Sequence, residues 1–174
     1  RREDRPLSEL ARVMERTPVA HAAHFAFRLA ERHRHNVVST SKYTIQRAAD
    51  GLFEEVVAEV ANEYRNTTHT KELFDSLLAK LILRPERFDV IVTPNEYGDF
   101  LSDMVYGLIG SIGLGASASY AFTPSHQPNI GIFDPAGGTA FADQFMQQVS
   151  DADIIFTAAG KTGNGMLQAI CAAK

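Results

Sequence analysis

The chain has 174 residues, and its 17 lysines and arginines stand against 21 aspartates and glutamates for a formal net charge of −4. That balance gives no general attraction to nucleic acid or to an anionic membrane, so the expected partner is a small molecule or another protein. Apolar and charged fractions of 45% and 22% suit one globular unit over 1–174, long enough to bury a substantial core. Cys171 is the single cysteine, which excludes an internal disulfide and fits a reducing compartment, the cytoplasm or one such as the mitochondrial matrix. No signal peptide is expected behind the charged Arg1–Arg5 opening, and the run 107–121 is too short and too rich in Gly and Ser to span a bilayer.

In chain order, a short helix is expected after Pro6, and Pro18 suits the first turn of a longer one reaching about Arg34. The segment from Asn36 to Thr40 reads as a strand that delivers Lys42 at its carboxyl end. Asp50 can cap the next helix, in which Leu52, Phe53, Val56, Val57, Val60 and Tyr64 share a face and Glu54, Glu55, Glu59 and Glu63 fall on others. A helix from about Lys71 to Leu83 precedes a strand at Phe88–Thr93. Further strands are expected at Asn129–Phe133 and Asp153–Thr157, a helix around Ala142–Val149, and a short last helix at Met166–Ala173. This alternation of helices and strands favours an α/β layered fold.

The segment Phe88-Asp-Val-Ile-Val-Thr-Pro-Asn95-Glu-Tyr-Gly98-Asp99-Phe-Leu-Ser-Asp103 runs a buried-strand pattern directly into a helix bearing two carboxylates four residues apart. Positions i and i+4 share a helical face, so Asp99 and Asp103 can present oxygen ligands together to a hard divalent cation. Such a pair alone more often just solvates a surface helix. His21, His24, His33 and His35, by contrast, lack acid or Cys partners at ligand spacing, so zinc binding is not expected there.

Two motifs place the chain beside a known family. Asn95, Gly98, Asp99, Leu101, Ser102 and Asp103 match in register the Asn-Leu-Phe-Gly-Asp-Ile-Leu-Ser-Asp segment of the isocitrate/isopropylmalate dehydrogenases, and Gly110, Ser111, Gly113, Ser117, Ala118 and Ser119 match their Gly-Ser-Leu-Gly and Ser-Ala-Ser. Ser41-Lys42 with Gln46-Arg47, then Leu52-Phe-Glu-Glu, is similar to the tartrate/D-malate branch, and Leu83-Arg-Pro-Glu-Arg-Phe-Asp89 fits the approach to the metal strand. The chain resembles this family from about His24 to Ala140. Its family-typical nucleotide loop, Glu-Pro-Val-His-Gly-Ser-Ala-Pro, is replaced by Asp134-Pro-Ala-Gly137-Gly138-Thr139-Ala-Phe141, and Thr44 stands where an Asn approaches the nicotinamide. The family's N-terminal half, with its substrate-clamping arginines, has no counterpart.

The resemblance implies an isopropylmalate-dehydrogenase-like three-layer arrangement of sheet and helices, incomplete relative to the family. It implies a small-domain and dimerisation part over about 1–85 and part of the large metal and nucleotide domain over about 86–174. It further implies metal- and NAD(P)-dependent oxidation, with possible decarboxylation, of a 2-hydroxy dicarboxylate such as isopropylmalate, D-malate, tartrate or isocitrate. Mg²⁺ or Mn²⁺ would sit on Asp75, Asp99 and Asp103, with Lys42 and Asp75 as catalytic residues. Thr44, Asn95, Gly137, Gly138 and Thr139 would lie at the cofactor. Lys42 and Asp75 would reach the site of a neighbouring subunit, so the expected partners are a hydroxy acid and a second copy or complementary subunit. Asp75 is read as an acid embedded in an apolar helical pattern, costly to desolvate without a cation or hydrogen-bond partner. The competing expectation, carried by the altered loop, is a non-catalytic structural or regulatory relative.

Overall fold

A computed structural model describes residues 12–109, 116–133, 154–159 and 167–172. Its elements are α1 (Arg16–Ala30), β1 (Asn36–Ser41), α2 (Ala49–Ala61), β2 (Thr68–Leu73), α3 (Phe74–Leu83), a 3₁₀ turn at Pro85–Arg87, β3 (Val90–Pro94), α4 (Asn95–Leu108), β4 (Ala116–Phe122), β5 (Pro128–Phe133), β6 (Ile154–Ala159) and β7 (Leu167–Ala172). The seven strands form one mixed sheet in the order β2-β1-β3-β6-β7-β4-β5. Its β2, β1, β3 and β6 run parallel, and β7, β4 and β5 continue it antiparallel. Parallel neighbours cannot be joined by a hairpin, which is why α2 intervenes between β1 and β2, and α3 carries the chain back past β1 to β3.

Strand pleating divides the core into two layers. Val37, Val90 and Val92 face one way and pack with α1 and α2, while Val38 and Ile91 face the other and pack with Leu77, Leu81, Leu101 and Val105 of α3 and α4. Both faces of the inner parallel strands β1 and β3 are therefore covered, as such strands require. On α1 the buried positions Val19, Ala22, Ala23, Ala26, Phe27 and Ala30 recur at helical spacing, and their small side chains let the helix approach the sheet closely. Phe53 and Leu77 are fully buried, and each such side chain contributes about 1.5–3 kcal/mol of apolar burial. The expected three-layer α/β architecture is present.

Several element expectations need correction. The helix expected from Lys71 begins only at Phe74, because Thr68–Leu73 is a strand. This strand lies at the sheet edge, where one side is wet, so its polar Thr-His-Thr-Lys-Glu run showed no apolar alternation. The last helix is instead β7, held by antiparallel pairing to both β6 and β4, and sheet pairing outweighs the helical preference of its Leu, Gln and Ala. The small-residue run also contains a strand, β4. Asp50 is not a cap, since it lies inside the first turn of α2 with Ala48 at the N-cap position. Glu54 does not fall on a solvent face but is buried. The helix expected after Pro6, that expected at Ala142–Val149, and the loop Asp134–Phe141 lie outside the described residues.

Candidate active site

The carboxyl ends of the parallel strands carry the charged groups singled out in the sequence. Ser41 closes β1 opposite Leu73, the last residue of β2, so the next residues, Lys42 and the first turn of α3, emerge side by side. The Lys42 ammonium donates to Asp75 Oδ1 at 2.9 Å. Asp75 is not desolvated as its apolar surroundings in the sequence suggested, for its side chain is 67% exposed. The Lys42 contact holds its carboxyl below the ordinary range. On the other side of β1, β3 runs straight into α4, which presents Asn95, Asp99 and Asp103.

Asp99 accepts from Asn95 Nδ2 at 3.1 Å, and Ser102 Oγ donates to the Asp99 carbonyl at 3.0 Å. Partial desolvation first, and then the like charge of Asp103, lift the Asp99 carboxyl above its usual range, although the Asn95 contact opposes them. A donor set of two crowded carboxylates fits a hard cation, which would relieve their repulsion. Asp75 is paired with Lys42 rather than gathered with Asp99 and Asp103. No group of three metal-ligating side chains forms within one chain among the described residues. Thr44 lies exposed in the turn after Lys42 and Asn95 at the start of α4, while Gly137, Gly138 and Thr139 are outside the described residues.

Beneath these groups lies a buried network whose components the sequence showed only in part. Asp50, fully buried, accepts from the Lys42 backbone N–H at 2.9 Å, from the Tyr97 hydroxyl at 2.8 Å and from the Arg12 guanidinium at 3.0 Å. Arg12 also lies over the Tyr97 ring, 5.1 Å from its centroid, and pairs with Glu96. Tyr97 belongs to the helix bearing Asp99, so one carboxylate ties the Lys42 turn to the Asp99 helix. A second network sits one turn along α2. Ser39 and Ser41 donate to the two oxygens of Glu54 at 2.6 and 2.5 Å, and His69 Nε2 lies 2.9 Å from Ser39 Oγ. Because Ser39 spends its proton on Glu54, His69 must donate. Burial lifts the Glu54 carboxyl, although both serine hydroxyls oppose the rise, and burial lowers His69. The Ser39-x-Ser41 alternation places both hydroxyls on one strand face, a signal that could have pointed to a buried acid opposite them.

A sequence model of the isocitrate/isopropylmalate dehydrogenase family matches residues 8–159, a longer span than the motifs alone delimited. The chain belongs to this family. The chain is 40% identical over 129 residues to 3-isopropylmalate dehydrogenase of Blochmanniella floridana, covering 74% of this chain and 34% of that one. It is 37% identical over 119 residues to the mitochondrial isocitrate dehydrogenase [NAD] subunit alpha of Bos taurus, covering 68% and 31%. The crystal structure of isocitrate dehydrogenase from Methylococcus capsulatus superposes with a TM-score of 0.66 at 31% identity, covering 85% of this chain and 43% of that one. The chain thus spans about a third of the length of these curated relatives. Among the described residues no helix is long and apolar enough to cross a membrane.

Proposed function

We propose that this dehydrogenase-family chain carries the metal-ligand and lysine half of an active site. That site oxidises a 2-hydroxy dicarboxylate, such as isopropylmalate, D-malate, tartrate or isocitrate, with NAD or NADP. One observation carries the reading: Lys42 with Asp75 and Asp99 with Asp103 emerge at the carboxyl ends of adjacent parallel strands, the usual ligand-binding edge of such sheets. Residues up to about 85 would supply the small-domain and dimerisation part, and the remainder part of the metal and nucleotide side.

Asp99 and Asp103 would hold Mg²⁺ or Mn²⁺, with the partner copy's Asp75 as a further ligand. The cation would supply Lewis acidity, lowering the pKa of the substrate hydroxyl and favouring loss of a β-carboxylate. The nicotinamide would accept the hydride. In the neighbouring subunit's site Lys42 would move the hydroxyl proton at its Nζ, and its pairing with Asp75 restricts where that nitrogen can lie. Asn95 and Thr44 would border the nicotinamide. Ser39, Ser41 and Glu54 fix the strand that ends at Lys42. Asp50 fixes the Lys42 peptide itself.

The test is turnover of D-malate, tartrate, isopropylmalate and isocitrate with NAD⁺ or NADP⁺ and Mn²⁺, with and without the remaining length of the enzyme. Little or no turnover is expected from the 174 residues alone. In the completed enzyme Lys42→Ala should slow turnover by about 10²–10⁴-fold with cofactor affinity nearly unchanged. Robust turnover by the chain alone would contradict the incomplete-site reading. A completed enzyme that binds no nicotinamide cofactor would point to the non-catalytic relative instead.

A further inference from the structure

A charged cavity lies on the α3 side of the sheet edge and is not used by the chemistry proposed above. Its volume is about 270 Å³. The floor follows from strand register. Asn36 and Val38 of β1 pair with Thr68 and Thr70 of β2, and the alternation of both strands brings Asn36, Val38, Thr70 and Glu72 to one face. The wall is the last turns of α3 and the segment from Arg84 to Phe88.

That wall is built to present cations. Arg87 ends the 3₁₀ turn and Arg84 immediately precedes it, and the Arg87 N–H bonds to the Arg84 carbonyl at 3.2 Å. Arg34 braces the turn from behind by donating to the carbonyls of Glu86 and Phe88, each at 2.9 Å. Lys80 also lines the cavity, but its charge is met by both oxygens of Glu72 at 2.7 and 2.6 Å. Neither Arg84 nor Arg87 has an ion pair or side-chain hydrogen bond among the described residues. Thr70, exposed on the cavity floor, offers a hydroxyl with no side-chain hydrogen bond among the described residues, so it can accept from a ligand donor.

We infer that this cavity binds a small hydroxylated phosphate monoester, its phosphate on Arg84 and Arg87 and a hydroxyl on Thr70. Two guanidinium forks suit a tetrahedral dianion. The cationic turn lies at the amino ends of the strands, whereas Lys42 follows the carboxyl end of β1. The cavity is therefore a site apart from the oxidative chemistry, and its binding does not depend on that reading.

The test is NMR titration of the folded chain with glycerol 3-phosphate at constant ionic strength, with inorganic phosphate and malate as parallel arms. Saturable shifts at Val38, Thr70 and Phe88 are expected, with glycerol 3-phosphate bound more tightly than either other probe. Arg84→Gln/Arg87→Gln should weaken binding by at least about tenfold, in line with the loss of two charge-assisted contacts. Both arginines are exposed, so the variant should keep its fold, which circular dichroism checks. Thr70→Val should narrow the preference for glycerol 3-phosphate over inorganic phosphate. Non-saturable shifts, undiminished affinity in the folded double variant, or tighter binding of malate would each overturn the assignment.

Discussion

Replacing Asp50 by alanine probes the joint between the two halves of the site. Three donors converge on this fully buried carboxylate: the Lys42 peptide, the Tyr97 hydroxyl and the Arg12 guanidinium. Removing one partner of a buried charged pair costs about 3–5 kcal/mol, since the other groups keep their desolvation penalty. Arg12 is only partly enclosed, with 18% of its side chain exposed, and it retains Glu96. The lower end applies, so Asp50→Ala should cost about 3 kcal/mol, or about 6–12 °C in Tm for a chain of this size. Urea unfolding measures it directly. Asp50→Asn should lose less, because an amide oxygen still accepts one donor. Tyr97→Phe should cost about 0.5–1.5 kcal/mol, and less than that in an Asp50→Ala background. A loss within about 0.5 kcal/mol for Asp50→Ala, the range of an ordinary surface change, would refute the network as the joint.

Histidine protonation should make stability fall on mild acidification. Burial lowers His21, His24 and His69 below the ordinary imidazole value. Their contribution is therefore complete above about pH 6.5 and is lost as pH falls through the depressed folded values. Glu54, raised by burial, acts in the opposite sense. Comparing wild type with His21→Asn/His24→Asn in unfolding curves from pH 7.5 to pH 5 isolates the histidine part, and parallel profiles would count against it. Assembly is the other expectation: α3 and α4 expose Ile82, Leu83, Phe100 and Leu108, apolar surface suited to a two-fold contact. Sedimentation should show a dimer at micromolar concentration that Phe100→Asp weakens, and a strictly monomeric wild type would contradict the shared site.

The strand and helix that present Asp99 and Asp103 were legible because a buried β run, a proline and a Gly-Asp helix start follow one another without a gap. Lys42 at the end of β1 was legible for the same reason. Hidden from the sequence was whatever depended on distant neighbours. β2 is polar because it lies at an edge, and β7 is a strand because two partners pair with it. Asp50 read as a helix cap and Glu54 as an acid off the apolar face until the fold set donors against them, and only the Ser39-x-Ser41 spacing hinted at one of these. The Lys42–Asp75 contact likewise required β1 and β2 to be neighbours in register.

Mn²⁺ titration of the folded chain, followed by electron paramagnetic resonance of the free ion, tests the metal-site assignment most directly. One saturable site is expected, competed by Mg²⁺ and weakened as pH falls, because Asp99 holds its proton above the ordinary carboxylate range. Asp103→Ala, shown folded by circular dichroism, should weaken it by at least about tenfold, the loss of a charged ligand. Equal Mn²⁺ binding by wild type and Asp103→Ala would contradict the placement of the metal at Asp99 and Asp103.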